Sequence, residues 1–382
     1  MFDRRSFIAG GIGITALGLA PRLAFARADA DRRFVFIIQR GAADGLGTLG
    51  ALGDPAFAGA RGQLAADFAT AKKLDATFAL HPSLGSIGTM YDAHEALFAH
   101  AVASPYRDRS HFDGQNVLET GGAGAYQLKD GWMNRMLGLI PSGEAKAIAV
   151  SATVPLTLRG ARDVASYAPS ALPRASDDLL QRVAMMYQGD SQLHGLWSEA
   201  MDTRALTGDL NDASGRNAAA TGALAAKLLA PDNGARIAMI ETGGWDTHTA
   251  QSARLGLQLK GLDTLVAALR TGMGPAWSDT MVLIATEFGR TVAANGTGGT
   301  DHGTGSAAML MGGAVKGGRV LADWPGLAPA ALLESRDVKP TMQLDAFVAG
   351  AVAGHYRLEP GRVMATLFPK SAAGVKPIAG LV

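Results

Sequence analysis

Short apolar runs of strand length recur along the chain, and helical patterns separate them. The first, Phe34 to Gln39, is almost continuously apolar, which is typical of a strand buried on both faces of a parallel sheet. Between 249 and 271, leucine and valine recur at spacings of three and four, which predicts an amphipathic helix. Alternating strands and helices predict a three-layer α/β/α fold with a mostly parallel central sheet. The other predicted strands lie at 96–103, 147–150, 237–240, 281–285 and 307–311.

The segment 177–230 differs from the rest of the chain because it is helix-rich and contains a dense run of alanine. We expect it to form a helical insertion rather than another unit of the sheet. No internal repeat and no long polar linker is evident elsewhere. Residues 29–382 are therefore predicted to form one domain that carries this insertion.

The first 28 residues have the pattern of an export signal. Arg4 and Arg5 precede a short, glycine-rich apolar stretch, and small residues around Ala24 to Ala28 offer cleavage sites. We expect residues 1–28 to engage the twin-arginine export machinery and to be removed, which predicts a periplasmic or secreted protein; an N-terminal helix of the mature fold is the alternative. The apolar run is shorter than the roughly 20 residues that span a bilayer, so no stable membrane anchor is predicted.

The amino-acid composition limits the partners and the chemical groups that a functional site could use. Hydrophobic residues make up 48% of the chain, enough for a large buried core, and the formal net charge of +1 does not suggest a nucleic-acid binder. Cysteine is absent, which excludes disulfides, thiolate metal sites and thiol nucleophiles. A bound metal must therefore use imidazole, carboxylate, hydroxyl or water. These donors suit one or two divalent cations such as Zn²⁺, Mn²⁺, Mg²⁺ or Ca²⁺.

Five polar segments lie just beyond apolar runs or beside them, where strands would pass into loops. Such loops are the usual location of chemistry in an open α/β sheet. Because they concentrate carboxylates and imidazoles, they predict a metal site with oxygen and nitrogen ligands. The segments are RGAADG (40–45), SHFDGQ (110–115), GGWDTH (243–248), TEFGRT (286–291) and TDHGTG (300–305).

Four of these segments supply the predicted metal ligands, and each side chain also has a structural interpretation. Asp44 could be an ordinary turn or N-cap residue, and Glu287 could simply pair with Arg290. The i, i+2 spacing of Asp246 and His248 allows both to converge on one cation. The glycine-dense loop around His302 would be costly to order without a bound group. The predicted ligands are Asp44, Asp246, His248, Glu287, Asp301 and His302.

The segment around Ser110 supplies the predicted nucleophile. Ser110 precedes a predicted helix, whose free amides could bind an anionic ester, so it could be a nucleophile, an anion ligand or a plain capping residue. His111 and Arg290 are further catalytic candidates, the arginine as a group that neutralises an oxyanion. Arg107 and Arg109 are candidates for binding an anionic substrate.

Together these segments resemble a family catalogued as domain of unknown function 1501, which is grouped with the alkaline phosphatases and sulfatases. The resemblance extends from about Phe34 to Pro325. It implies an alkaline-phosphatase-like fold with Ser110 in the place of the nucleophile between two metals. It also implies metal ligation by Asp44, Asp246 and His248, by Glu287, and by His302 in a loop like the His-Thr-Gly loop of those enzymes.

The sequence departs from that pattern in the spacing from Asp246 to His248, in the His that follows Ser110, and at a ligand position after a predicted strand. Where the phosphatases have Asp-His after a strand, this chain has Glu287-Phe288, so one imidazole is missing. The leading hypothesis is an exported metal-dependent hydrolase of phosphate or sulfate esters, with a small anionic ester as substrate. The alternatives are a non-catalytic periplasmic binding or assembly protein, and a serine esterase without metal.

Overall fold

The computed structural model describes residues 31–140, 146–168, 177–191, 193–198, 201, 217–371 and 374–382. The predicted export signal, residues 1–28, lies outside this part of the chain.

Twelve strands and ten helices are labelled here in chain order. The strands are β1 Arg33–Gln39, β2 Leu49–Gly50, β3 Lys72–Lys73, β4 Ala79–Leu80, β5 Ala96–Ala103, β6 Ala147–Val150, β7 Ala165–Ser166, β8 Ile237–Thr242, β9 Thr280–Thr286, β10 Ser306–Met311, β11 Arg319–Leu321 and β12 Met342–Gln343. The helices are α1 Gly45–Thr48, α2 Phe57–Arg61, α3 Gly85–Asp92, α4 His111–Thr120, α5 Trp132–Leu137, α6 Asp177–Tyr187, α7 Ala218–Leu229, α8 Gln251–Met273, α9 Leu344–Tyr356 and α10 Pro360–Leu367. Residues 193–198 are also helical, and 3₁₀ turns lie at Gly62–Phe68, Leu156–Leu158, Gly274–Asp279 and Pro329–Ala331.

The main sheet has the strand order β11-β5-β10-β9-β1-β8-β6-β7, with β12 beside β5. Its pairings are parallel except those of β10, which runs antiparallel to both β5 and β9. A small second sheet has the order β2-β4-β3. The predicted mostly parallel central sheet is confirmed, and all six predicted strands are present.

Helices cover both faces of the main sheet, as predicted for three layers. On β1, Val35 and Ile37 face one buried cluster, whereas Phe34 and Phe36 face the other, because successive side chains of a strand point to opposite faces. The first cluster includes buried side chains of α7 and α8, and the second includes buried side chains of α5, α9 and α10. The apolar stripe predicted for α8 is buried in the first cluster: Leu255, Leu259, Leu262, Val266 and Leu269.

The strand directions bring the polar segments to one edge. β1, β5, β8 and β9 run the same way, so the loops that follow them leave the sheet together. β10 runs the opposite way, so the glycine-rich loop that precedes it starts from that same edge. All five polar segments therefore meet at the carboxyl edge of the central strands.

The described parts of 177–230 are mostly helical. α7 packs along α8, and a side chain at Gly222 would place its Cβ 2.2 Å from the Leu265 carbonyl oxygen, so these two helices approach closely. Leu224, Leu228 and Leu229 are buried in the core beside the sheet. α7 is therefore part of the helical layer. Among the described residues, every helix is too short or too polar to cross a membrane.

Candidate functional site

Asp246 lies at the centre of the polar edge, in the loop that follows β8. Its Oδ1 is 3.0 Å from His248 Nε2 and 3.4 Å from His302 Nε2, and its Oδ2 is 3.5 Å from His111 Nε2. The three imidazoles come from different segments of the chain, yet all three turn the same ring nitrogen toward this carboxylate. The sequence places these groups far apart, and the fold brings them together.

The far nitrogen of each ring contacts an oxygen that can only accept a hydrogen bond. His111 Nδ1 is 2.9 Å from Glu287 Oε1, and His302 Nδ1 is 2.9 Å from the carbonyl oxygen of Arg109. His248 Nδ1 is 3.2 Å from Asp301 Oδ1. Each Nδ1 therefore carries a proton, and in the neutral ring the lone pair lies on Nε2. This is the arrangement in which metal-binding histidines are usually held.

The Nε2 atoms are arranged so that a cation could bind between them. His111 Nε2 is buried and has no hydrogen-bond partner among the described atoms. His248 Nε2 and His302 Nε2 are 3.0 Å apart, so two neutral rings would direct lone pairs at each other unless a proton or a metal ion lies between them. One ligand atom each from His111, Asp246 and His302 lies within 4.8 Å of the others. Two imidazoles and a carboxylate fit a borderline divalent cation such as Zn²⁺.

This set, His111, Asp246 and His302 with His248 beside them, is called the cation group below. Burial, together with the nearby charge of His111, lowers the pKa of His302. The hydrogen bond to Glu287 raises the pKa of His111. Burial alone would raise the pKa of Asp246, but the charge of Arg290 lowers it below its ordinary value. Asp246 is thus held as a carboxylate, the form that binds cations.

Arg290 is buried and uses its whole guanidinium group within the protein. Nε donates to the carbonyl oxygen of Ala42 at 2.9 Å, and Nη1 contacts the carbonyl oxygen of Thr300 and His248 Nε2 at 3.1 and 3.4 Å. Nη2 donates to the carbonyl oxygen of Trp245 at 3.3 Å and to Asp246 Oδ1 at 2.5 Å. Five N–H groups therefore meet five acceptors. Arg290 holds Asp246 in place, and no donor is left over for a substrate oxyanion.

Glu287 lies behind His111, where it contacts the far side of the ring. The carboxylate is fully buried and accepts hydrogen bonds from the backbone N–H of Gly41 and from Thr286 Oγ1, at 2.9 and 3.0 Å. Burial alone would raise the pKa of Glu287, but the hydrogen bond from His111 and other donors lower it below its ordinary value. An ion pair between Glu287 and Arg290, the structural interpretation of this segment, is not formed.

Asp44 lies in a separate buried network. Its Oδ2 accepts hydrogen bonds from Arg61 Nη2 and Gln251 Nε2, both at 2.5 Å. Gln251 Oε1 in turn accepts from the hydroxyls of Thr247 and Thr300. Asp44 thus links α1 and α2 to the two loops that carry Asp246 and His302, and the cation group does not include it.

The remaining predicted residues surround the group. Ser110 is the N-cap of α4, and its side chain does not cap the helix; its backbone N–H donates to the Tyr106 hydroxyl at 3.1 Å. Arg107 donates to the backbone carbonyls of Ser104 and Tyr106. Arg109 pairs with the buried Asp337 at 2.8 Å, and this pair fixes the loop whose carbonyl meets His302.

Close backbone packing holds the two loops that follow β9 and precede β10. A Cβ on Gly289 would lie 2.0 Å from the Gly305 carbonyl oxygen, and one on Gly303 would lie 2.3 Å from the Arg290 backbone. Only glycine allows these approaches. The glycines that the sequence shows in these segments therefore bring Arg290 and His302 to the same place.

The sequence matches a known family across most of its length. Residues 33–368 fit the family described as protein of unknown function, DUF1501. The chain belongs to the DUF1501 family. This confirms the resemblance inferred from the polar segments. No curated protein matches the chain.

Solved structures similar to this DUF1501 chain include two of the C-terminal periplasmic domain of EcEptC from Escherichia coli. The complex with zinc is 10% identical, with a TM-score of 0.34 and 75% of each chain covered. The other structure has the same identity and TM-score and covers 75% of this chain and 74% of that chain. The phosphonate monoester hydrolase of Agrobacterium radiobacter is 10% identical, with a TM-score of 0.35, 91% of this chain covered and 79% of that chain. Values this low do not transfer an activity.

The residues that support the site are not among the candidates that the sequence offers. His111, a catalytic candidate, places its Nε2 in the cation group. Gln115, which contacts Glu287, lies in the SHFDGQ segment. It follows His111 by one helical turn, and this spacing is the feature of the sequence that could have connected it to the site. Arg61 and Asp337 lie outside all five segments, and no spacing in the sequence connects them to the site.

Proposed function

We propose that the chain is an exported, metal-dependent hydrolase of phosphate or sulfate esters. The observation that carries the proposal is the convergence of three Nε2 atoms on Asp246, with the protonated nitrogen of each ring held by an oxygen acceptor. His111, Asp246 and His302 would hold the cation, and His248 lies beside them. A bound divalent cation would act as a Lewis acid toward an ester oxygen.

The start of α4 supports an anionic substrate next to this cation. His111 is the first residue of the helix, so the first-turn amides lie beside the cation group, and the Ser110 side chain leaves them uncapped. Helix N-termini bind phosphate and similar anions through such amides. Ser110 would then be the nucleophile or an anion ligand, next in sequence to a residue that holds the cation. Arg290 would act by positioning Asp246.

A non-catalytic binding or assembly protein is the second candidate. The observation that favours it is the saturated Arg290, which gives Asp246 a counter-charge without any metal. The metal-free serine esterase is less well supported. That mechanism needs His111 Nε2 to accept the Ser110 proton, and this nitrogen has no hydrogen-bond partner among the described atoms.

The experiment uses the mature chain purified after export in its native host. Metal content is measured by mass spectrometry, and hydrolysis is measured on a panel of phosphate and sulfate esters. We expect bound divalent metal and metal-dependent hydrolysis, with Ser110→Ala losing hydrolysis but keeping the metal and His302→Ala losing both. His194→Ala, an exposed histidine in the 193–198 helix, is the matched control and should change neither.

The outcomes separate the candidates. Bound metal without hydrolysis in the wild type favours the binding protein. Hydrolysis that survives both metal removal and His302→Ala contradicts the metal-dependent mechanism. Full hydrolytic activity of Ser110→Ala would show that Ser110 takes no part in the reaction.

A further inference from the structure

The buried Glu287 carboxylate is surrounded by hydrogen-bond donors. Oε1 accepts from the Gly41 N–H at 2.9 Å, from His111 Nδ1 at 2.9 Å and from Gln115 Nε2 at 3.2 Å. Oε2 accepts from Thr286 Oγ1 at 3.0 Å. The side chain is completely buried. Three donors therefore meet Oε1 and one meets Oε2.

Glu287 contacts the His111 ring on the side away from the cation group, so this contact does not place both residues on a shared metal ion. Glu287 meets Nδ1, whereas the nitrogen that faces Asp246 is Nε2. His111 also stacks on Phe288, with ring centroids 5.1 Å apart, so the ring plane is held on a second side. Glu287 and Phe288 together fix the direction in which Nε2 points.

We infer that Glu287 is a positioning residue that orients His111 and keeps its proton on Nδ1, and that it is not itself a metal ligand. This inference rests on the proposed function only for the identity of the group that Nε2 binds. It differs from the role that the family resemblance implies, in which this acidic residue coordinates the metal directly.

A network of charged side chains orients the side-chain amide of Gln115. Its Oε1 accepts from Arg40 Nη1 at 3.0 Å, so its amide nitrogen must face Glu287. Arg40 is itself held by Glu119 at 2.9 Å and by Glu241. The charged network therefore fixes the orientation of the Gln115 amide, and the amide in turn directs a donor at the Glu287 carboxylate.

The test is Glu287→Met, which keeps a side chain of similar length but removes both acceptor oxygens. Without an acceptor at Nδ1, the side chain no longer enforces the Nδ1-protonated form of His111. Zn²⁺ affinity is measured by competition with a chelating dye. We expect a loss of about 10- to 100-fold, as is typical when the hydrogen-bond partner of a metal-bound imidazole is removed.

Two further readouts distinguish positioning from direct ligation. Long-range ¹H–¹⁵N spectra of the metal-free protein, labelled at histidine, report the tautomer of His111, which should change in Glu287→Met. X-ray absorption of the zinc-loaded variant should show the same number of nitrogen and oxygen donors as the wild type. A tautomer that does not change, or a shell that loses one oxygen donor, overturns the inference.

Asp263→Asn is the matched control. Asp263 is a buried carboxylate that accepts a hydrogen bond from the Ile87 N–H at 2.9 Å, and it contacts neither His111 nor the Arg40 network. We expect its Zn²⁺ affinity and His111 tautomer to match the wild type; effects equal to those of Glu287→Met would show general destabilisation. If Glu287→Met does not fold, Gln115→Met decides: it removes one donor and should lower affinity several-fold, and an unchanged affinity contradicts the inference.

The tautomer measurement also separates this inference from the proposed function. A chain that binds no metal overturns the proposed function, but the spectra of the metal-free protein still decide whether Glu287 sets the His111 tautomer.

Discussion

Replacing Asp44 by asparagine should destabilise the protein without affecting the proposed metal site. The Asp44 and Arg61 side chains are 2% and 1% exposed, and the ion pair between them is 2.5 Å long. Without the carboxylate, the Arg61 guanidinium keeps only the backbone carbonyls of Val292 and Thr291, at 3.0 and 3.4 Å, and its Nε already lacks a partner among the described atoms. The substitution therefore leaves a buried positive charge without a counter-charge.

Breaking a buried ion pair by removing one partner costs about 3–5 kcal/mol. The asparagine oxygen can still accept one hydrogen bond, so we expect a value near the lower end, about 3 kcal/mol. With an m value of about 3 kcal/mol/M, the urea midpoint would fall by about 1 M. The assay is equilibrium unfolding in urea, followed by circular dichroism, with metal content measured on the same preparations.

Asp263→Asn is the control for this prediction. Asp263 is also buried and accepts a hydrogen bond from the Ile87 N–H at 2.9 Å, but it has no buried arginine as partner. We expect it to lose about 1 kcal/mol. If Asp44→Asn keeps its stability but loses the bound metal, Asp44 is a metal ligand and our reasoning about the Arg61 pair is wrong.

Three further predictions follow from other parts of the chain. Burial raises the pKa of Asp345 to about 6, so the native state holds a proton that the unfolded chain releases, and the free energy of unfolding should fall by about 3 kcal/mol as pH rises from about 4 to above 6. Asp345→Asn should flatten that pH dependence in urea unfolding, and an unchanged slope would contradict the assignment. Gly289→Ala should lower Zn²⁺ affinity at least about tenfold, because its Cβ would lie 2.0 Å from a carbonyl oxygen, whereas Gly59→Ala, which meets no described atom within 4 Å, should not; equal affinities would argue against backbone packing as the cause. Replacing Arg4-Arg5 by two lysines should leave the unprocessed chain in the cytoplasm on cell fractionation, and normal export would rule out a twin-arginine signal.

The strands were predictable because their hydrophobic runs are continuous. The runs at 96–103 and 147–150 coincide with β5 and β6, and the run at 281–285 is extended by one residue at each end in β9. A strand buried on both faces excludes polar residues, so the ends of the apolar run mark the ends of the strand. The clustering of the polar segments at one edge followed from the same argument.

The contacts within the site were not predictable, since they depend on side-chain direction. Glu287 follows β9 immediately, and the sequence does not show that its carboxylate turns toward His111 Nδ1. Asp44 lies at the end of the loop after β1 but meets Arg61, which is 17 residues later in the chain and belongs to α2. Nor does a hydrophobic run reveal that β10 is antiparallel to its neighbours.

X-ray absorption at the metal edge, on protein exported in its native host, tests the central claim most directly. We expect one or two divalent ions per chain, coordinated by imidazole nitrogen and carboxylate oxygen, with the metal lost in His302→Ala and retained in His194→Ala. A wild-type chain that contains no divalent metal and binds none added, with Asp246 neutralised by Arg290 alone, would contradict the account.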